Sequence, residues 1–185
     1  MLVALPHPET LEKSMKDIVI LYDSCCLYEI VSANYYLSFS GARVDYVGLD
    51  KRPIRTKEGF SVNVDYSIDE LNVSDVRSLI LPGGDKRILG TDTVKAAVRT
   101  VFADGKLVAA ICSAVDVVED AGILANVCST HSSDEDCVCD KNVITARANA
   151  YVDFGIEVAK YLCLFADEAD LKETVDFWRH FKRMQ

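Results

Sequence analysis

Short, largely apolar runs alternate along this chain with longer segments whose apolar residues return every three or four positions. Ile18 to Leu21, Ser78 to Leu81, Leu107 to Ile111 and Val143 to Ala146 are runs of the first kind. A strand reads this way when both of its faces are covered, because neither alternate set of side chains is left to solvent. Arg43 to Leu49 reads as another strand, and Thr56 to Tyr66, which mixes Gly59 with alternating Val62 and Val64, as a short hairpin or edge strand. Helical spacing marks Leu27 to Leu37, Thr93 to Phe102, Val152 to Phe165 and Glu168 to Arg183, and one more helix is expected from just after Cys112 to near Gly122. From there to Asp140 the pattern predicts a variable region. Residues 1–15, with two prolines and little periodicity, read as an N-terminal extension to a single domain over 16–185. Strands alternating with helices need crossover connections, so the fold class is α/β, with a mostly parallel sheet and helices on both faces.

Composition narrows the function classes. Half of the 185 residues are apolar and 26% are charged, the balance of a globular domain. Twenty Lys and Arg stand against 29 Asp and Glu, for a net charge of -9, which repels nucleic acid and anionic membrane alike. No apolar run approaches the ~20 residues of a membrane span, and the N-terminus lacks the basic start of a secretory signal, so a cytoplasmic protein is expected. Seven cysteines, an odd number without framework spacing, fit reduced thiols. Neither a dinucleotide fingerprint nor a phosphate loop is present, and no cofactor is expected.

The most informative segment is Leu107-Val108-Ala109-Ala110-Ile111-Cys112-Ser113-Ala114, where a buried strand turns directly into a helix with a thiol at the corner. Such an elbow projects a nucleophile from the carboxyl edge of the sheet, and the helix N-terminus behind it is expected to lower the thiol pKa. The alternative is a cysteine serving as a small buried hydrophobe. Pro82-Gly83-Gly84, at another strand end, permits close backbone approach, so the Gly84 and Ser113 N–H groups are candidate oxyanion donors; the alternative is an ordinary turn. Glu29 follows the first strand at the same edge, where it is placed to face Cys112 as a protonated partner, the alternative being a solvated first-turn acid.

Other clusters carry less. Cys128, His131, Cys137 and Cys139 have zinc-ligand chemistry, but their spacing matches no common zinc module, and they read as surface thiols with no metal. Cys25-Cys26 lies near the proposed crevice, where it offers a resolving thiol or packing. His7 and His180 read as surface or packing residues, and Phe177, Trp178 and Phe181 as an apolar helix stripe.

Four segments in order, Tyr28-Glu29, Leu81-Pro82-Gly83-Gly84, Ala109 to Ala114 and Asn142 to Arg147, resemble the ThiJ/PfpI superfamily of DJ-one-like proteins, within the class I glutamine amidotransferase-like folds. The resemblance runs from about Asp17 to Phe165. It implies a flavodoxin-like three-layer α/β sandwich, a homodimer, Cys112 as nucleophile, Glu29 as its protonated partner, Gly84 and Ser113 as oxyanion donors, and His131 as the histidine near the cysteine. Protease-like members carry His where this chain has Ser113, and isonitrile-hydrating members carry Asp at the place of Glu29, which argues against both branches. The implied function is a cofactor-independent cysteine enzyme for small reactive carbonyl compounds, of glyoxalase or deglycase type. The alternatives are a redox-sensing or chaperone-like stress protein, and another small-molecule hydrolase or lyase, including a thiazole-biosynthesis role.

Overall fold

The computed structural model describes residues 15–39, 41 and 43–183. Apart from residue 15, the expected N-terminal extension lies outside them, as does His7. Strand β1 (Lys16–Leu21) holds Ile18 to Leu21 at no more than 1% exposure, as a strand covered on both faces must. A 3-10 turn, Leu27–Ile30, runs straight into helix α1 (Val31–Phe39), and β2 (Arg43–Gly48) returns beside β1. β3 (Ile54–Arg55) and β4 (Ser61–Val62) form a separate antiparallel ribbon around Gly59, so the hairpin expected in this region exists in miniature. β5 (Tyr66–Ser67) then joins the outer edge of β2.

The chain next crosses to the other side of β1, where β6 (Val76–Leu81) pairs in parallel with it. The one-turn helix α2 (Lys86–Leu89) and α3 (Asp92–Ala103) lead to β7 (Leu107–Ile111), every residue of which is buried. Thr91 caps α3 by accepting the Val94 N–H, and Val94, Ala97, Val98 and Val101 are its buried stripe. Helix α4 (Ala114–Asp120) follows the elbow, then β8 (Cys137–Asp140), β9 (Val143–Ala146), α5 (Tyr151–Tyr161) and α6 (Glu168–His180).

The resulting seven-stranded sheet has the order β5-β2-β1-β6-β7-β9-β8, with only β8 antiparallel to its neighbour. Helices α1 and α5 pack together over one face and α3 and α4 over the other, giving the expected α/β sandwich. Strand order reverses between β1 and β6, and in parallel sheets such a switch point opens a crevice at the carboxyl ends of the strands. Glu29 follows β1, Gly83 follows β6 and Cys112 follows β7, so the fold brings all three to that edge.

Two expectations at element level need correction. Residues 137–140 are an edge strand rather than part of a loop, held antiparallel to β9. The helix read from Val152 to Phe165 starts at Tyr151 and stops at Tyr161; Cys163 has a left-handed φ of 54°, yet Leu164 and Phe165 still pack inward. No helix of the described residues is long and apolar enough to cross a membrane.

Candidate active site

Cys112 sits at the turn from β7 to α4 with φ 59°, a left-handed conformation that costs an L-residue roughly 1–2 kcal/mol. Its N–H donates to Ala146 O (2.8 Å) and its carbonyl accepts the Val115 N–H (3.1 Å), so neighbouring strand and helix jointly hold the strain. Ser24, after β1, is likewise left-handed at φ 71°. Both residues line one open crevice of about 570 Å3, together with Cys26, Lys57, Gly84, Asp85, Lys86, Arg87, Ser113 and Asp116.

The two glycines after β6 explain the closeness of the loops. A Cβ on Gly83 would stand 2.6 Å from Glu29 Oε2, 2.7 Å from Cys112 Cβ and 3.1 Å from its Sγ. One on Gly84, whose φ is 141°, would stand 2.3 Å from the Ser24 carbonyl oxygen. Any larger residue at position 83 would push the carboxyl and the thiol apart. The sequence marked these glycines for close approach; what approaches Gly83 is the protein's own thiol and carboxyl, and what approaches Gly84 is the loop after β1.

Glu29 is 1% exposed. Its Oε2 accepts the Gly83 N–H at 2.7 Å, and its Oε1 accepts the Tyr28 hydroxyl at 3.3 Å. Its carboxyl also hydrogen-bonds with the Cys112 thiol. Burial pushes the carboxyl above its ordinary range, more strongly than these hydrogen bonds and the thiol pull it down, and the charge of Glu58 adds to the rise. Glu58 itself is held below the usual carboxylate range: burial raises it, but the Tyr28 N–H and other donors outweigh that.

Cys112 departs from the sequence expectation. Burial first, then the Glu29 charge, push its thiol up, while the Ser113 N–H and hydroxyl pull it down less. The expected lowering by a helix N-terminus fails because α4 is only seven residues long and the thiol faces a carboxyl inside a partly buried crevice. The Glu29 charge opposes the Cys112 thiolate, whereas the thiol, by hydrogen-bonding the carboxyl, pulls Glu29 down without offsetting its burial. That is a chemically useful arrangement: a proton on Glu29 removes the repulsion that opposes the Cys112 thiolate.

The candidate oxyanion donors are adjacent but already engaged with each other. Gly84 N–H donates to Ser113 Oγ at 2.9 Å, and the Ser113 hydroxyl donates back to Gly84 O at 2.8 Å. A substrate oxygen reaching Gly84 N–H must displace that hydroxyl, whereas the Ser113 N–H points toward Sγ. His131 is not brought to the thiol. It lies outside the crevice lining, with Nδ1 2.8 Å from Glu119 and Nε2 3.4 Å from Asp116.

The proposed zinc-ligand set does not converge either. Cys137 and Cys139 are influenced by Glu157 on the α5 side, whereas His131 faces α4 and Cys128 is exposed. His131 instead meets Asp116 and Glu119, three potential ligand atoms within 4.8 Å. The sequence reading marked Gly83 for close approach but not as the donor that fixes Glu29, and it did not single out Glu58 or the crevice-lining Lys57. Their signal is weak in one dimension, since each acts through a loop remote in sequence.

A strained thiol elbow with a buried carboxyl beside it, at the switch point of a parallel sheet, defines a class of cysteine-bearing α/β proteins. The chain belongs to the DJ-1/PfpI family, which it matches over residues 15–161. It is 33% identical over 98 residues to Deglycase PfpI of Pyrococcus furiosus, covering 52% of this chain and 59% of that protein. It is 29% identical over 112 residues to Deglycase TK1284 of Thermococcus kodakarensis, covering 60% and 68%. Among solved structures, the DJ-1 superfamily protein Atu0886 from Agrobacterium tumefaciens aligns with TM-score 0.79 and 26% identity, over 91% of this chain and all of that one (100%). A thiJ/pfpI family protein from Bacillus anthracis aligns at TM-score 0.81 and 22% identity over 91% and 92%, a likeness of fold alone.

Proposed function

We propose that this protein is a cofactor-independent cysteine enzyme that acts on small reactive carbonyl compounds, with glyoxalase or deglycase chemistry. The observation that carries the reading is the Glu29 carboxyl, buried and pinned by Gly83 N–H at 2.7 Å, hydrogen-bonded to a thiol in a strained elbow. Relatives named deglycases support the carbonyl class.

For a dicarbonyl substrate, the Cys112 sulfur attacks the aldehyde carbon, forming an S–C bond while the carbonyl electron pair moves onto oxygen. Ser113 N–H, and Gly84 N–H once Ser113 Oγ is displaced, stabilise that oxygen. Glu29 delivers a proton to it, giving a hemithioacetal. Glu29 then takes the proton from the former aldehyde carbon, giving an enediolate, and returns it to the neighbouring carbonyl carbon while the hydroxyl proton passes to that carbonyl's oxygen, leaving a 2-hydroxy thioester. Water cleaves the thioester to a hydroxy acid and frees the thiol. His131 has no step, because both ring nitrogens face carboxylates of α4.

The test is turnover of methylglyoxal to lactate. The intact protein is expected to turn over, and Cys112→Ser to lose activity by about 100-fold or more while keeping its melting curve. Unchanged turnover in Cys112→Ser would remove the thiol from the mechanism. We also propose that the protein is a homodimer, paired through the exposed apolar stripe of Tyr28, Val31, Tyr35 and Phe39.

A further inference from the structure

Cys112 is not the only thiol in the crevice. Cys26 lines it too, half-buried, while its neighbour Cys25 is 0% exposed and turned into the core. None of the other four cysteines lines this crevice. A single glycine separates Cys26 from Cys112: the Cys26 N–H donates to Gly83 O at 2.9 Å, and the other side of Gly83 lies against Cys112. Because Gly83 has no side chain, its backbone separates the two loops there, with the Glu29 carboxyl beside Cys112, and a disulfide needs its Cβ atoms to reach about 3.8 Å. The carbonyl mechanism makes no use of Cys26.

We propose that Cys112 and Cys26 form a two-thiol peroxide-reducing site, in which a hydroperoxide oxidises Cys112 and Cys26 then closes a disulfide on it. This activity does not depend on the carbonyl reading. In the first step the Cys112 thiolate attacks the terminal peroxide oxygen; the O–O bond breaks, an alkoxide or hydroxide leaves, and the sulfur becomes a sulfenic acid. In the second step the Cys26 sulfur attacks the Cys112 sulfur, forming the S–S bond and expelling hydroxide, which takes a proton to leave as water. Glu29, whose charge already bears on both thiols, accepts the Cys26 proton and relays it to that hydroxide. An external dithiol resets the pair by exchange. Burial, followed by Glu29, Glu58, Cys112 and Cys25, pushes the resting Cys26 thiol up to about 11.

The experiment exposes the full chain, freshly reduced and freed of reductant, to a several-fold molar excess of hydrogen peroxide, then blocks free thiols with iodoacetamide and maps peptides without reduction. The expected result is a linked Cys26–Cys112 peptide that disappears on treatment with dithiothreitol. In Cys26→Ser the linked peptide is lost and Cys112 instead gains two or three oxygens. Cys25→Ser is expected to retain the link. The proposal is overturned if intact protein and Cys26→Ser accumulate the over-oxidised Cys112 at the same rate, or if the recovered link joins Cys112 to another cysteine.

Discussion

Glu29 and Cys112 face a conflict that neither resolves alone. Each is withdrawn from water, and the Glu29 charge raises the cost of ionising Cys112. Because burial raises the Glu29 carboxyl, the folded chain binds its proton more tightly than the unfolded chain does. The stability this contributes is complete below the unfolded value, about 4.3, and is lost as pH rises through the folded value. Glu29→Gln retains an oxygen for Gly83 N–H and cannot ionise. It is expected to exceed the parent's stability by about 1–2 kcal/mol near pH 8, measured in urea, and to show no gain near pH 4. The same variant removes the second-largest influence raising Cys112, so iodoacetamide alkylation at that residue should quicken at neutral pH while methylglyoxal turnover falls. Slower alkylation in Glu29→Gln would mean that the carboxyl activates the thiol by some route other than the charge conflict.

The elements that carry the site are anchored at their opposite ends. Asp17, at the amino end of β1, is 0% exposed, yet its carboxylate takes both Nε (3.0 Å) and an Nη (2.6 Å) of Arg77 and the Ser78 hydroxyl (2.7 Å). These ties lock β1 to β6, the two strands that frame the switch point. Asp17→Ala strips a buried pair of one member and should cost about 3–5 kcal/mol in urea unfolding. Because Asp17 is remote from the crevice, the folded variant should alkylate Cys112 at the parent rate; a changed rate would mean that the β1–β6 register reaches the site. Sequence pattern made the central strands legible, since β1, β6 and β7 are buried on both faces and leave no polar alternation. It failed at β8, where Val138 is buried but Cys137 and Asp140 are half-buried and Cys139 exposed at the sheet edge, so that signature is lacking. It overran α5 because Leu162, Leu164 and Phe165 are apolar for packing after the helix has ended; periodicity reports burial before it reports helicity. The elbow, Glu29 and the glycine pair were legible because strand ends fix their places. The upward push on the Cys112 thiol was not, being set by burial and the Glu29 charge, and neither was the position of His131 against α4.

At the scale of the whole molecule, the surface beside the crevice is unusually apolar for an acidic chain. Tyr28, Val31, Tyr35 and Phe39 are 45%, 58%, 49% and 72% exposed and recur at helical spacing from the 3-10 turn through α1. Tyr151 extends the stripe by packing edge-on to Tyr28 at 6.0 Å, and an adjoining groove of about 320 Å3 is lined by Tyr35, Tyr36, Phe39 and Trp178. A contiguous patch of this kind favours association, and a two-fold axis lets the same stripe cover itself. Tyr28 belongs to the patch and also donates to Glu29, so pairing would border the proton-carrying carboxyl. Val31→Arg places a charge at the centre of the stripe on an exposed helix position, where it should leave the monomer fold intact. Light scattering at micromolar concentration is expected to give two copies for the parent and one for Val31→Arg, with superimposable circular dichroism. A parent that remains a single copy across the concentration range would rule out the pairing. If the variant is monomeric but turns over methylglyoxal at the parent rate, the dimer contact and the Tyr28–Glu29 hydrogen bond act independently.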